Sequence, residues 1–527
     1  MLTDVANGDS RLSFWWRVRE FAVPPSMIET ATARRAVGDW AGACAAAAID
    51  IDLDLRSLTS RHGSELAGRV RSDLRHLAPD LLRWHMPRIA PDGLLRPGLT
   101  LTLARYRTAG DAGPGPVHLV ARTPPAWADA GQRIGLALWE GSGPEARGHP
   151  HPRPSRRHRF DLHRHLWDAR RAGELRSRAG ADRPTVDGAP PPPDPQPHPH
   201  PHPHPPLSLP AYAHAPAPPP QPLPLPLPLP LPLPLPLSTA SDELWAWAAE
   251  HGGAVERWAE EAAIVLRAEG RSTGSVVVRC GARRLVLDLG PDAVTGRAPG
   301  EDARPAAGDG ARPSVPRLTA VSGDDGALGA LPVLPDAATW VLPDLELIRA
   351  GAIDVHRLHP LVASALVEDH VPSVPAEAPD RAGQPRIVEC RGERHRIGLV
   401  DGVLVALDHD PDELRREDLL VALTGTPLPC LRAIDEAHRR PDCLSGVRER
   451  LDHGDVAGAL AVVEGLLGPD AVLRDGPLRD ELESAAHRRI VYGLYRAGLA
   501  EPLPGRVRSN VGRRPSRQRR PRVATFF

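Results

Sequence analysis

The stretch that decides how the chain is organised opens with Pro190-Pro191-Pro192-Pro193. It continues through His198-Pro199-His200-Pro201-His202-Pro203-His204-Pro205-Pro206 and ends in an unbroken Pro-Leu alternation from Pro222 to Leu237. Proline lacks an N–H and holds φ near −65°, so residues 189–237 build neither a helix nor a sheet ladder. The expected form is polyproline II, which at this length reaches about 150 Å if straight. With three residues per turn, a period of two spreads the leucines round every side of the rod. The rod is either a spacer or a ligand. As a ligand it offers Pro205, Pro206 and Leu207, or the Leu-Pro run, to an aromatic-lined groove on a protein partner. The His-Pro alternation has no spacing that enforces a metal geometry.

Outward from the rod, the 527 residues allow two domains and a linker. Apolar residues make up 41% of the chain but aromatics only 4%, so the cores rest on Leu, Val and Ala. A net charge of −1 gives no overall attraction to polyanions. No lysine occurs, and every basic residue is arginine. That composition removes the Walker-A phosphate loop, the pyridoxal Schiff base, the kinase strand lysine and the Ser-x-x-Lys hydrolases. Five scattered cysteines (Cys44, Cys280, Cys390, Cys430, Cys443) suit free thiols in a reducing cytoplasm better than a disulfide framework. The longest apolar runs, such as Ala43 to Ile49, are too short to span a membrane, and Asp4 and Asp9 break any secretory h-region. The expectation is a cytoplasmic protein with no membrane contact.

The segments read as follows: residues 1–25 a partly disordered N-terminus, 26–178 an N-terminal α+β domain, 179–240 the linker, 241–289 a helix plus β-hairpin, 290–330 a disordered loop, 331–501 a C-terminal α+β domain with a helical end, and 502–527 a basic disordered tail. The fold class is α+β, two small helix-and-meander units flanking the rod. In the first unit, helices are expected from Ser26 and after Asp39, then over Ser64 to Trp84. Strands are expected over Leu99–Tyr106, Val117–Arg122 and Gln132–Trp139. Asp50, Asp52 and Asp54 alternate like calcium ligands, but Leu55 and Arg61 stand where an EF-hand needs glycine and glutamate, so the reading is an extended segment. Residues 147–178 carry ten arginines against Asp161 and Asp168, with Glu174 in the trailing turn. A helix over 160–176 would set Phe160, His163 and Trp167 near one face.

The second unit has the sharper local signals. Strands are expected over Arg386–Arg391, His395–Val400 and Val403–Leu407, with Asp401-Gly402 as a type I′ turn. Asp410, Pro411 and Glu413 then open a helix as N-cap, first position and capping-box partner. Two octets also match at six positions: Gly38-Asp39-Trp40-Ala41-Gly42-Ala43-Cys44-Ala45 and Gly454-Asp455-Val456-Ala457-Gly458-Ala459-Leu460-Ala461. Arg133-Ile134-Gly135-Leu136 likewise echoes Arg396-Ile397-Gly398-Leu399.

Candidate chemistry is sparse. Cys430, His438, Cys443 and His453 suit zinc by type, but their gaps match no finger or ribbon spacing. Asp408, His409, Asp410, Asp412 and Glu413 crowd acids round a histidine, and capping accounts for two of them. No motif calls for a cofactor, a metal or a catalytic residue. The tail carries Arg513, Arg514, Arg517, Arg519, Arg520 and Arg522 among its arginines, a candidate phosphate-backbone contact. The leading expectation is a non-enzymatic interaction or scaffold protein for an unknown protein partner. The alternative is nucleic-acid association through the tail and the 160–176 helix.

Overall fold

The computed structural model describes residues 2–107, 116–129, 132–141, 149, 153–182, 241–290, 316–320, 326–368, 386–390, 392–424, 428–499 and 525–526. The chain opens with α1 (Leu2–Phe21), α2 (Pro25–Ala36) and α3 (Trp40–Ala46), then edge strand β1 (Ile49–Asp52). Next come α4 (Leu55–His76), α5 (Pro79–Trp84), the short pair β2 (Arg88–Ile89) and β3 (Leu94–Leu95), and the meander β4 (Thr100–Tyr106), β5 (Val117–Arg122) and β6 (Ile134–Trp139). After α6 (Leu175–Ala179) and the rod lie α7 (Ser241–Glu250), α8 (Trp258–Ala268), β7 (Gly274–Cys280), β8 (Arg283–Leu289) and β9 (Arg317–Ala320). Helices α9 (Asp336–Thr339), α10 (Pro343–Arg349) and α11 (Pro360–Leu366) follow. The C-terminal part holds β10 (Arg386–Cys390), β11 (Glu393–Val400), β12 (Val403–Ala406), α12 (Pro411–Thr424), α13 (Pro429–Arg439), α14 (Leu444–His453), α15 (Val456–Leu467), α16 (Pro477–Arg496) and β13 (Thr525–Phe526).

The α+β class holds. The sheets are small: β1-β6-β5-β4, β7-β8-β9, β10-β11-β12 and β13-β2-β3. The expected meander β4-β5-β6 is present, and β1 adds to its edge in parallel, with Ile49 opposite Ile134 and Asp52 opposite Ala137. That strand is the Asp50–Asp54 segment, and each carboxylate has a structural task. Asp50 holds Arg133 at 2.6 and 2.8 Å, Asp52 holds Arg496 at 2.5 Å, and Asp54 caps α4 through the Arg56 N–H. The two echoing octets adopt one geometry. Gly38 and Gly454 take positive φ (78° and 88°), and Asp39 and Asp455 accept from the N–H groups of Gly42 and Gly458 at 2.8 and 2.9 Å.

Several expectations need correction. α1 begins at Leu2 and runs through most of the expected partly disordered 1–25 stretch; Phe14, Trp15 and Val18 are buried and anchor it. Pro79 divides the expected 64–84 helix into α4 and α5. The region 160–176 is not a helix with an exposed basic face. It consists of 3-10 turns over Arg164–Leu166 and Ala169–Glu174, and Phe160, His163 and Trp167 are buried. The arginines in and around it are taken up by carboxylates: Arg157 by Asp336, Arg159 by Asp161 and Glu269, Arg164 by Asp73 and Asp168, Arg170 by Asp168, Arg171 by Glu174, Arg176 by Asp182 and Glu368, and Arg178 by Glu261. Inside the expected 290–330 loop, β9 pairs with β8, and at the end of the tail Thr525 and Phe526 pair with Ile89 and Arg88.

The rod separates the two halves in sequence and not in space. The largest core joins α1 and α4–α6 to Leu345, Leu347, Leu358, Val362 and Leu366 of α10, α11 and their approach. Across the seam, Arg19 forks onto Asp344 at 2.8 and 2.7 Å, and Asp344 also accepts from the Trp84 indole at 3.1 Å. His359 meets Asp80 at 3.0 Å, the Arg83 guanidinium donates to the His453 carbonyl at 2.9 Å, and the Tyr492 hydroxyl bonds Asp50 at 2.5 Å. Bidentate guanidinium–carboxylate geometry is what arginine supplies and lysine does not, so the absence of lysine suits this seam. No helix among the described residues is long and apolar enough to cross a membrane.

Candidate functional site

The best-defined cluster of reactive side chains lies in the β10–β12 sheet, which has its own small core of Cys390, Ile397, Ala406, Leu428, Cys430 and Ile434. Strand alternation builds its inner face. Val388 and Cys390 point inward from β10, and Ile397 pairs with Ala406 of β12. The β11–β12 connection is the expected two-residue turn, with positive φ at Asp401 (50°) and Gly402 (77°).

After β12, the Leu407 N–H bonds the Arg396 carbonyl, and Asp408 takes the Arg396 N–H at 2.7 Å and its guanidinium at 2.7 Å. This clamp turns the chain back over the sheet and lays the His409 ring on the His395 ring, centroids 4.2 Å apart and 14° from parallel. Asp410 caps α12 by accepting from the Asp412 N–H at 2.9 Å. Pro429 opens α13, which brings Cys430 under the sheet on its first turn.

Cys390, His409 and Cys430 each offer a donor atom, and these atoms all lie within 4.8 Å of one another. Both thiols are fully buried, and the His409 side chain is 3% exposed. In a tetrahedral zinc site, donors stand about 3.3–3.8 Å apart, so closure round an ion needs a movement of about 1 Å or less. The two faces of His409 are already differentiated. Its Nδ1 faces Glu413 Oε2 at 3.6 Å, and its Nε2 is buried without a hydrogen-bond partner. A carboxylate behind a histidine is the arrangement that orients imidazole ligands. A thiol on the first turn of a helix is ordinarily acidified, but burial and the adjacent Cys390 push Cys430 up to about 12. Both features suit a thiol that ionises only when a cation replaces its proton.

Of the zinc-type set suggested by sequence, only Cys430 belongs to this cluster. His438 is eight residues further along α13, about 12 Å by helix rise, while Cys443 caps α14 and His453 points into the seam beside Phe21. Sequence reading missed the pairing of Cys390 with His409, since these donors come from a strand end, a loop and a helix start. Of the remaining thiols, burial pushes Cys44 and Cys280 up to about 12 and raises half-buried Cys443 as well. Pro205, Pro206 and Leu207, with Arg513, Arg514, Arg517, Arg519, Arg520 and Arg522, lie outside the described residues. Beside Trp15, Arg19, Trp84, His85 and His165 the seam holds a partly open cavity of about 20 Å³, with room for a water molecule. No family model, no curated protein and no solved structure matches the chain.

Proposed function

We propose that the protein is a non-enzymatic interaction protein with a structural centre for a thiophilic divalent cation, Zn²⁺ foremost, held by Cys390, His409 and Cys430. The observation that carries this reading is the convergence of two thiols and an imidazole inside one small core. Soft thiolate and imidazole donors favour zinc over magnesium or calcium, and burial of all three donors suits a site that holds structure together. The ion would tie the end of β10, the loop before α12 and the start of α13 into one unit. Titration of the metal-free full chain with zinc, in competition with a chromogenic chelator, should give one equivalent bound. Cys390→Ser and Cys430→Ser should each weaken binding at least a hundredfold. A wild-type chain that leaves all the zinc on a weak chelator overturns the proposal. The partner remains as the sequence suggests, a protein recognising the proline-rich segment: a rod-deleted chain should lose a partner that the full chain retains, and equal recovery by both reduces the rod to a spacer.

A further inference from the structure

Three donors leave a tetrahedral ion one ligand short, and the surroundings narrow the choice of a fourth. Asp408 and Asp410 flank His409 in sequence, but Asp410 caps α12, and Asp408 is committed to Arg396 through the backbone N–H and the guanidinium. Withdrawing it would unmake the turn that places His409. Glu413 stands behind His409, on the Nδ1 side of the ring. Cys443 sits at the start of α14 and packs with the separate helical core.

His395 differs from all of these. It lies on β11 two residues before Ile397, so alternation puts both on the inner face that carries Cys390. Its ring is stacked on that of His409, and its Nδ1 is buried without a hydrogen-bond partner. A buried ring nitrogen without a partner is costly, and two adjacent rings each with one are costlier still. The nitrogens of His395 fall outside the 4.8 Å set that includes the other three donors, so ligation requires the ring to swing off its neighbour. A histidine χ2 is broad, which makes that rotation inexpensive.

Resting on the metal centre proposed above, we infer that His395 completes it. The ion is then held by Cys390, His395, His409 and Cys430 as a closed tetrahedral S₂N₂ site for Zn²⁺, with no position left for water or substrate. In sequence the donors read Cys-x₄-His and His-x₂₀-Cys, two pairs drawn from a hairpin and from the helical connection after it. Each proton lost from a thiol on binding is replaced by a bond to the cation, so uptake at the site is proton-linked.

Cobalt(II) tests this on the full chain, because its visible d–d bands report coordination number and donor type. The wild-type protein should take up one Co²⁺ with intense tetrahedral bands and thiolate charge-transfer absorption. His395→Ala should weaken Co²⁺ and Zn²⁺ binding at least tenfold and lower the band intensity, as a water-completed or five-coordinate site would. His395→Cys should restore tight binding with a spectrum shifted toward three thiolates, which a merely folding-related role for His395 would not produce. Far-ultraviolet circular dichroism of each variant reports whether the fold persists. If His395→Ala binds Co²⁺ with the wild-type spectrum and affinity, the fourth-ligand assignment fails while the three-donor centre stands. If the wild-type chain shows no tetrahedral cobalt bands, both fail.

Discussion

Replacing Asp344 with alanine tests the seam at its most buried point. Asp344 opens α10, after the rod, and Arg19 lies near the end of α1, before it; their side chains are 0% and 2% exposed. The substitution removes two bidentate bonds from Arg19 and one from the Trp84 indole. The guanidinium keeps its bond to the Trp84 carbonyl and its place over the Trp15 and Trp84 rings, but it loses its counter-charge while still buried. Stranding one member of a buried pair costs about 3–5 kcal/mol. Breaking the exposed Arg479–Glu483 pair, 47% and 63% exposed, costs about 0–1 kcal/mol. Urea unfolding of the full chain, followed by tryptophan fluorescence, measures the difference, since Trp15 and Trp84 flank the guanidinium. The paired replacement Arg19→Met with Asp344→Leu should recover most of the loss, because no charge is then left buried. A loss below about 1 kcal/mol for Asp344→Ala, equal to that at Glu483, would refute a seam built as part of the core.

Acid should loosen the fold in a predictable direction. Burial holds His85, His158 and His165 well below the usual 6.5, while the unfolded chain protonates them normally. Their stabilisation is therefore complete above 6.5 and lost as pH falls. At about pH 5.5 the loss is about 1.4 kcal/mol each, about 4 kcal/mol in all, measurable as a falling urea midpoint; a midpoint unchanged from neutrality to that pH would contradict the burial. In the helix-start motif, a Cβ at Gly458 or Gly42 would lie 2.2 or 2.1 Å from the capping carboxylate. Gly458→Ala and Gly42→Ala should thus each cost about 1–2 kcal/mol in thermal unfolding, whereas Gly446→Ala, with open space in α14, should be neutral or stabilising by up to about 1 kcal/mol. Zinc affinity should rise about a hundredfold per pH unit between about pH 7 and 8, where imidazoles are neutral and two thiol protons leave on binding; a flat profile would exclude thiolate ligation.

Local chemistry was legible and long-range chemistry was not. Asp401-Gly402 declares its turn because only such residues take positive φ at two successive positions, and the Gly-Asp-x-x-Gly helix start is likewise written in adjacent residues. The Thr-Leu-Thr-Leu alternation of β4 fixes its strand for the same reason. Residues 160–176 were misread because the spacing of Phe160, His163 and Trp167 imitates a helical stripe. What decides that segment is buried Asp168, which accepts from Arg164 and Arg170 and is bridged to Leu77, a partner 91 positions upstream. Joining β1 to β6 depends on a pairing across more than eighty residues. The rod drew attention to a division of the chain that the Arg19–Asp344, His359–Asp80 and Tyr492–Asp50 contacts span. The donor cluster escaped for the same reason: no spacing within the sequence links a strand end at Cys390 to a helix start at Cys430.

The most direct test of a metal-centred C-terminal unit is the zinc content of the full chain, purified without chelators from zinc-supplied cells and measured by elemental analysis. The expected values are close to one zinc per chain for the wild type and close to none for Cys390→Ser/Cys430→Ser. A wild-type chain with no more zinc than the double variant would contradict the account.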